Sequence, residues 1–204
     1  MPKPTLQRTA RAARIIGVAS GLGARDGRCR DGPDALQASG IAADLQSHGL
    51  DVSWKETLRP AAPEHLPAAE RLAELMDRLA GETRSVAAAG QRLVVLGGDH
   101  SCAIGTWSGV SLALKDMGPL GLIWIDAHLD AHTPKTSPSG AIHGMPLALL
   151  LGHGDPLLVP KEGGLRPQHV CVVGARDFEP EEAALLLRLG VRVFPMEEIR
   201  HRGF

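Results

Sequence analysis

The sequence lacks a long hydrophobic segment and a strong excess of either charge. None of its apolar runs approaches the roughly 20 residues that a helix needs to cross a bilayer. The basic residues near the N-terminus are not followed by the apolar region of a secretory signal; they are Lys3, Arg8, Arg11 and Arg14. The formal net charge of -1 disfavours a general nucleic-acid-binding protein, whose surface is basic. We therefore expect a soluble cytoplasmic protein that binds neither membranes nor nucleic acids.

Cysteine is also scarce, and this excludes two classes of small protein. The three cysteines are Cys29, Cys102 and Cys171, which are odd in number and widely separated. They form no disulfide framework and no CxxC zinc module, so we expect buried free thiols. The sequence shows no internal repeat and no long linker. Its 204 residues, 44% of them hydrophobic, predict a single domain over residues 1–204.

Short apolar segments alternate along the chain with helical patterns. The expected strands are residues 14–19, 51–54, 92–96, 121–125, 170–173 and 191–194. The expected helices are residues 32–48, 67–89, 101–115 and 180–189. Such an alternation predicts an α/β fold of three layers, in which a mostly parallel sheet has helices on both faces.

The most informative segment is residues 123–130, where an apolar run ends in Asp126, His128 and Asp130. In an extended backbone, alternate side chains point to the same side, so these three would converge. Two carboxylates on one buried face repel each other, and a divalent cation bound by carboxylate and imidazole relieves that repulsion. The segment therefore predicts a metal site. His132 continues the alternation, but spacing alone does not separate a site residue from an exposed loop residue.

A second candidate ligand, His100, follows the third expected strand. Ligand sites of open α/β sheets lie at the carboxyl ends of strands, so His100 and Asp126 are expected at the same edge. The preceding Gly97 and Gly98 let the backbone approach a neighbour closely. Asp99 either caps the next helix or orients the His100 imidazole.

Further polar residues lie near the same edge and allow two interpretations. His143 ends a polar loop and could transfer protons beside a metal-bound water. Ser137 and Ser139 in that loop are ordinary turn residues by default. Glu179 follows the fifth strand, where an acidic residue also suits the start of a helix.

Three motifs together resemble those of the ureohydrolase family, the arginases and agmatinases, and most closely its arginases. The motifs are residues 97–101, 126–130 and 136–144, and residues 27–40 and 174–180 add to the likeness. The resemblance covers nearly the whole chain and implies an arginase/deacetylase-like fold. By the same resemblance, the chain corresponds to the N-terminal two-thirds of such a domain, without its C-terminal strands.

The resemblance implies hydrolysis of a guanidino substrate by a hydroxide that bridges two Mn²⁺ ions, with L-arginine giving L-ornithine and urea. One ion would be held by His100, Asp126 and Asp130, with Asp130 also counted among the catalytic residues. His128 would hold the second ion, with Asp126 bridging the two. His143 matches the proton-transfer histidine of the family. The family also implies a homo-oligomer, a trimer or hexamer, when the protein is full length.

The resemblance further assigns contacts to the substrate's amino-acid end and shows departures there. Ser137, Ser139, Glu179 and His132 match the positions that contact this end. The serine loop favours arginase, but arginases usually carry Asn where this chain has His132 and Ala141. The alternative is therefore another guanidino substrate, such as agmatine or a guanidino acid.

A further departure concerns the family's later strands, which carry an Asp-x-Asp motif and a glutamate that this sequence does not contain. In the family these strands insert between the third and fourth strands. We therefore expect a gap with unpaired edges there, and a lone chain that is poorly stable or catalytically incomplete.

Overall fold

The computed structural model describes residues 12–203. Residues 1–11 and Phe204, and with them Lys3, Arg8 and Arg11, lie outside the described residues. The strands are β1 (Ala13–Val18), β2 (Val52–Leu58), β3 (Arg92–Gly97), β4 (Leu122–Ile125), β5 (Val170–Ala175) and β6 (Arg192–Pro195). The α-helices are α1 (Gly32–Ala38), α2 (Ile41–Ser47), α3 (Ala68–Ala88), α4 (Cys102–Leu114), α5 (Pro146–Leu150), α6 (Pro180–Leu189) and α7 (Met196–Arg202).

The strands form two parallel sheets of three strands each, in the orders β2-β1-β3 and β4-β5-β6. Ile15 of β1 pairs with Val94 of β3, and Trp124 of β4 pairs with Val172 of β5. Because parallel neighbours need long crossover connections, helices lie between successive strands. The predicted α/β architecture with parallel strands is therefore confirmed.

Helix α5 joins the hydrophobic cores that lie beside the two sheets. Leu147 and Leu150 pack with the core of β4 and β5. Leu149, on another side of the same helix, packs with the core of β1 and α3. All three side chains have no solvent exposure (0%), and burying a leucine stabilises a fold by roughly 1.5–3 kcal/mol. The short helix therefore fixes the position of the polar loop that precedes it.

Helix α3 shows the apolar spacing that the sequence predicted, with Leu72, Leu75 and Leu79 all fully buried. The expected helix over residues 32–48 is instead divided into α1 and α2. The break occurs at Gly40, whose φ of 77° lies in the left-handed region that glycine adopts at little cost. The prediction of one continuous helix was wrong because this glycine ends the first helix and starts the second.

The cysteines are free, as predicted, but each side chain is only partly buried rather than fully enclosed. Burial still raises the pKa of Cys102 to about 12, with a further increase from the charge of Asp99. The Cys102 thiol is therefore protonated near neutral pH, and it is a poor nucleophile. No helix among residues 12–203 combines the length and apolar character that crossing a membrane would require.

Strands β3 and β4 each form one edge of a sheet, with no partner strand on that side among the described residues, and β2 and β6 form the other two edges. Apolar side chains are exposed there: Ile123 is 66% exposed and Ile125 is 80% exposed. Beside β3 lies an open cavity of about 610 Å³ whose walls include Leu93, Val95 and Val110. The unpaired edges that the sequence predicted between the third and fourth strands are therefore present.

We predict that replacing Ile123 with lysine will slow aggregation of the isolated chain. A charged side chain on an exposed strand edge opposes pairing with another edge. The free energy of unfolding should change by no more than about 0.5 kcal/mol, because the side chain is mostly exposed. Light scattering during incubation and urea unfolding would measure the two effects. The matched control is Leu187→Lys on α6, where an equally apolar side chain is 81% exposed away from any strand edge. An equal effect of both variants would contradict the role of the edge.

Candidate metal centre and its pocket

Two glycines bring the candidate ligand His100 close to the end of strand β1. The N–H of Gly98 donates to the carbonyl of Val18 at 2.9 Å, and the N–H of Asp99 donates to the carbonyl of Ser20 at 3.1 Å. A Cβ atom on Gly98 would collide with the Ser20 carbonyl and lie 3.0 Å from the Cys29 carbonyl. The predicted close approach at the glycine pair is therefore present at Gly98, and it fixes where His100 leaves the sheet.

Asp99 links this loop to a neighbouring loop rather than to the His100 ring. One of its carboxylate oxygens accepts the N–H of Ser101 at 2.8 Å, and the other accepts the N–H of Gly23 at 3.0 Å. The carbonyl of Gly23 in turn accepts the N–H of His143 at 3.0 Å. Asp99 therefore closes the turn that precedes α4 and does not cap the helix, whose N-cap residue is Ser101 and has no side-chain cap hydrogen bond. It also ties His143 to the loop that carries His100.

Asp126 and Asp130 come together through a bend, not through the extended backbone that the sequence analysis assumed. Strand β4 ends at Ile125, and Asp130 has a φ of 50°, which is in the left-handed region. That conformation costs of order 1 kcal/mol or more in a non-glycine residue. Two hydrogen bonds hold it, because the Asp130 carbonyl accepts the N–H groups of Leu147 at 2.9 Å and Ala148 at 3.2 Å.

The side chains of His100, Asp126 and Asp130 converge into a group that could hold a metal ion. Nδ1 of His100 lies 2.6 Å from Oδ2 of Asp130 and 3.3 Å from Oδ2 of Asp126. Oδ2 of Asp130 is buried and has no hydrogen-bond partner, since the short contact with the His100 ring is out of line for one. A buried carboxylate oxygen without a hydrogen bond is costly unless a cation balances it. The residues present therefore fit a divalent ion.

His128 lies on the other side of Asp126. Oδ1 of Asp126 accepts the backbone N–H of His128 at 2.9 Å and lies 3.1 Å from Nδ1 of its ring. The His128 side chain is 58% exposed, and it does not belong to the converging group of three. Asp126 thus turns one carboxylate oxygen towards His100 and the other towards His128.

The acidic surroundings change the protonation of His100. Burial alone would lower its pKa, but the adjacent Asp130 carboxylate and the charges of Asp126 and Asp99 outweigh burial and raise it. The imidazole therefore holds a proton more tightly than a free histidine does. A metal ion must displace that proton, so binding at this group is favoured as the pH rises.

A second group forms around His132. Its Nε2 lies 2.9 Å from Oε2 of Glu179 and 3.4 Å from Oε2 of Glu182. Its Nδ1 lies 3.1 Å from the hydroxyl of Thr136. Glu179 and Glu182 also form a capping box at the start of α6. The structure thus brings the sequence-predicted His132 and Glu179 together.

Sequence reasoning missed Glu182, although its position three residues after Glu179 is the spacing of a capping box. Glu182 is 3% exposed, and Oε1 accepts the N–H of Ala131 at 3.0 Å. It therefore holds the backbone between Asp130 and His132. Sequence reasoning also missed Arg25, which lines the pocket that both groups face.

The two groups face one open pocket of about 520 Å³, whose walls also include Ser139, His143 and Glu179. The hydroxyls of Ser137 and Ser139 lie 3.4 Å apart. They accept the backbone N–H groups of Gly140 at 3.0 Å and Ala141 at 3.2 Å, respectively. Both serines therefore form turns, and Ser139 lies in the pocket wall. Because one hydroxyl donates to the other, one hydroxyl proton remains available to a ligand.

Comparisons with known proteins point to one family. A family model described as "Arginase family" matches residues 11–204. The arginase of Brevibacillus brevis is 38% identical over 199 residues, which are 93% of this chain and 65% of that protein. A solved structure of Bacillus caldovelox arginase superposes with a TM-score of 0.84 at 35% identity, covering 95% of this chain and 67% of that one.

A structure of Entamoeba histolytica arginase in complex with L-ornithine also superposes with a TM-score of 0.84, at 28% identity. It is matched over 95% of this chain and 68% of that one. The chain therefore spans about two-thirds of the length of the relatives that it matches, 65% in the case of the B. brevis protein.

Proposed function

This chain belongs to the arginase family, and from that premise we propose that it takes part in metal-dependent hydrolysis of a guanidino compound to urea and an amine. L-arginine, which would give L-ornithine, is the first candidate substrate. The observation that carries the proposal is the convergence of His100, Asp126 and Asp130 at one edge of the sheets. Two carboxylates and an imidazole are suitable ligands for Mn²⁺ and similar ions.

We assign His100, Asp126 and Asp130 to one Mn²⁺ ion and His128 to a second. One oxygen of Asp126 faces His100 and the other faces His128, and this supports a bridging role for the carboxylate. When bound, such ions lower the pKa of a water molecule and so supply a nucleophile at neutral pH. A strong nucleophile is necessary because the guanidinium group is permanently charged and stabilised by resonance.

The remaining pocket residues act on the substrate and on the leaving group. His143 lines the pocket and supplies a proton to the departing amine. Its position is fixed by the hydrogen bond from its backbone N–H to Gly23. Ser137, Ser139, Glu179 and His132 surround the part of the substrate that lies away from the guanidinium.

One contact favours a different guanidino compound, such as agmatine or a guanidino acid. Glu179 faces His132 at 2.9 Å and helps to cap α6, so its carboxylate is already engaged. The hydrogen bonds with His132 and Glu182 also lower the pKa of Glu179. An α-ammonium group would have to compete for this carboxylate, which weakens the case for an amino-acid substrate.

The test is urea release by the Mn²⁺-loaded chain with L-arginine, agmatine and 4-guanidinobutanoate as separate substrates. Turnover of L-arginine above the other two would support the first candidate, and a reversed order would support the alternative. Metal binding without urea from any substrate would mean that the chain is catalytically incomplete by itself. If the chain neither binds the metal nor releases urea, the proposed function is contradicted.

We also propose that the two sheets belong to one domain, because α5 packs into both hydrophobic cores. Homo-oligomer formation stays a prediction from the family resemblance, and a cytoplasmic location stays a prediction from the sequence composition. Sedimentation of the purified chain with and without Mn²⁺ would measure the oligomeric state.

A further inference from the structure

The group of His132, Glu179 and Glu182 differs from the first metal group in its residues and in its position on the pocket wall. We propose that it is a separate metal site that takes one divalent transition-metal ion, with Zn²⁺ as the ion of choice. An imidazole and two carboxylates form a ligand set that zinc accepts in proteins. The three ligand atoms lie within 4.8 Å of one another.

The distances between the ligand atoms suit a shared ion. Zinc lies about 2.0–2.2 Å from nitrogen and oxygen ligands, so ligand atoms around it are roughly 3 to 3.5 Å apart. Nε2 of His132 lies 2.9 Å from Oε2 of Glu179 and 3.4 Å from Oε2 of Glu182. An ion would therefore replace the hydrogen bond between His132 and Glu179 and bind with small side-chain movements.

The surrounding contacts hold two of these ligands in place. The Thr136 hydroxyl lies 3.1 Å from Nδ1 of His132, which is the contact that directs the other ring nitrogen towards a metal. Glu182 accepts the N–H groups of Ala131 at 3.0 Å and Glu179 at 3.1 Å. The rigid side of the site is thus formed by His132 and Glu182, both nearly buried at 6% and 3% exposure.

The third ligand, Glu179, leaves the site accessible from the pocket. Its side chain is 50% exposed, whereas the other two are enclosed. Glu182 is 3% exposed and lies beside the Glu179 carboxylate, so its negative charge is poorly solvated. A divalent ion would balance both carboxylates at once.

An ion at this site would also affect the proposed reaction. His132 and Glu179 are the residues that we assign to the substrate's far end, so an ion bound to them would exclude that end. This consequence, inhibition by zinc, rests on the proposed function. The binding of the ion itself does not.

The experiment measures zinc bound to the 204-residue chain by equilibrium dialysis and elemental analysis. Asp126→Asn removes the carboxylate that faces both His100 and His128 and so isolates the second site. We expect Asp126→Asn to retain one zinc ion per chain. Combining His132→Asn with Asp126→Asn should weaken the remaining zinc affinity by tenfold or more, because the imidazole ligand is lost. Glu179→Gln, which removes a charge at a half-exposed position, should weaken it as well.

The matched control is Glu181→Gln, which removes an exposed carboxylate from the first turn of the same helix without touching the site. It should bind zinc as the parent does. Circular dichroism of each variant separates a lost ligand from a lost fold, and Glu179→Gln tests the site even if His132→Asn does not fold. Unchanged zinc affinity in folded His132→Asn or Glu179→Gln would overturn the proposal.

Discussion

Replacing Asp126 with asparagine should reduce Mn²⁺ affinity at the first metal group by about 100-fold or more and abolish Mn²⁺-dependent urea release. Changes to groups that only orient metal ligands typically cost 10- to 100-fold in affinity, so a change to the ligand itself should reach at least the upper end of that range. The carboxylate turns one oxygen to His100 and the other to His128. An amide is uncharged and has a single oxygen, so it cannot serve both sides.

The control for this variant is Asp177→Asn. Asp177 is an exposed acid that lies 3.8 Å from Nε2 of His128, which is too far for a hydrogen bond that would orient this ring. Its replacement removes one negative charge near the pocket but leaves the converging group intact, so Mn²⁺ affinity should change less than threefold. Isothermal titration with Mn²⁺ and a urea assay would measure both variants. Asp126→Asn with normal metal affinity, or with undiminished urea release, would contradict the bridging assignment.

The order of strands and helices could be predicted from the sequence because buried parallel strands are short apolar runs. Leu72, Leu75 and Leu79 recur at helical spacing, and all three are buried in α3. The pairing of strands carries no such signal. Nothing in residues 13–18 marks β1 as the strand between β2 and β3, since that pairing depends on crossovers in space.

The unpaired edges at β3 and β4 were predicted from the family resemblance alone. The apolar residues Ile123 and Ile125 are equally typical of a strand that is buried on both faces. Leu122 and Trp124 of the same strand are buried, so Ile123 and Ile125 are exposed because their side chains point to the opposite face of β4.

The candidate site could be predicted to the extent that its ligands follow strand ends. His100 and Asp126 lie at the same edge because parallel strands end there together. The alternation of residues 126–130 suggested that His128 would join the aspartates, but the chain bends at Ala127 and His128 and enters the left-handed region at Asp130. Hydrogen bonds from the N–H groups of Arg176 and Asp177 hold the bend at Ala127, and those from α5 hold Asp130. The local sequence does not reveal either set of contacts.

Gly98→Ala should destabilise the fold by about 3 kcal/mol, the upper end of the cost of overpacking, and should weaken Mn²⁺ binding. The new methyl group would meet the backbone carbonyls of Ser20 and Cys29, and backbone cannot turn aside as a flexible side chain can. The loop bearing His100 would have to move away from β1 and break the hydrogen bond from Asp99 to Ser20. For a chain of this size, the melting temperature should fall by roughly 6–12 °C.

The matched control is Gly81→Ala in the middle of α3, where an added Cβ meets nothing within 4 Å. Alanine favours a helix over glycine by about 1 kcal/mol, so this variant should be more stable than the parent. Urea unfolding would give both free energies, and titration with Mn²⁺ would show whether the loss of affinity follows Gly98 alone. If Gly98→Ala is as stable as the parent, the backbone near Ser20 yields easily, and the glycine is not what positions His100. If it is unstable but binds Mn²⁺ normally, the close approach supports the fold without setting the geometry of the metal ligands.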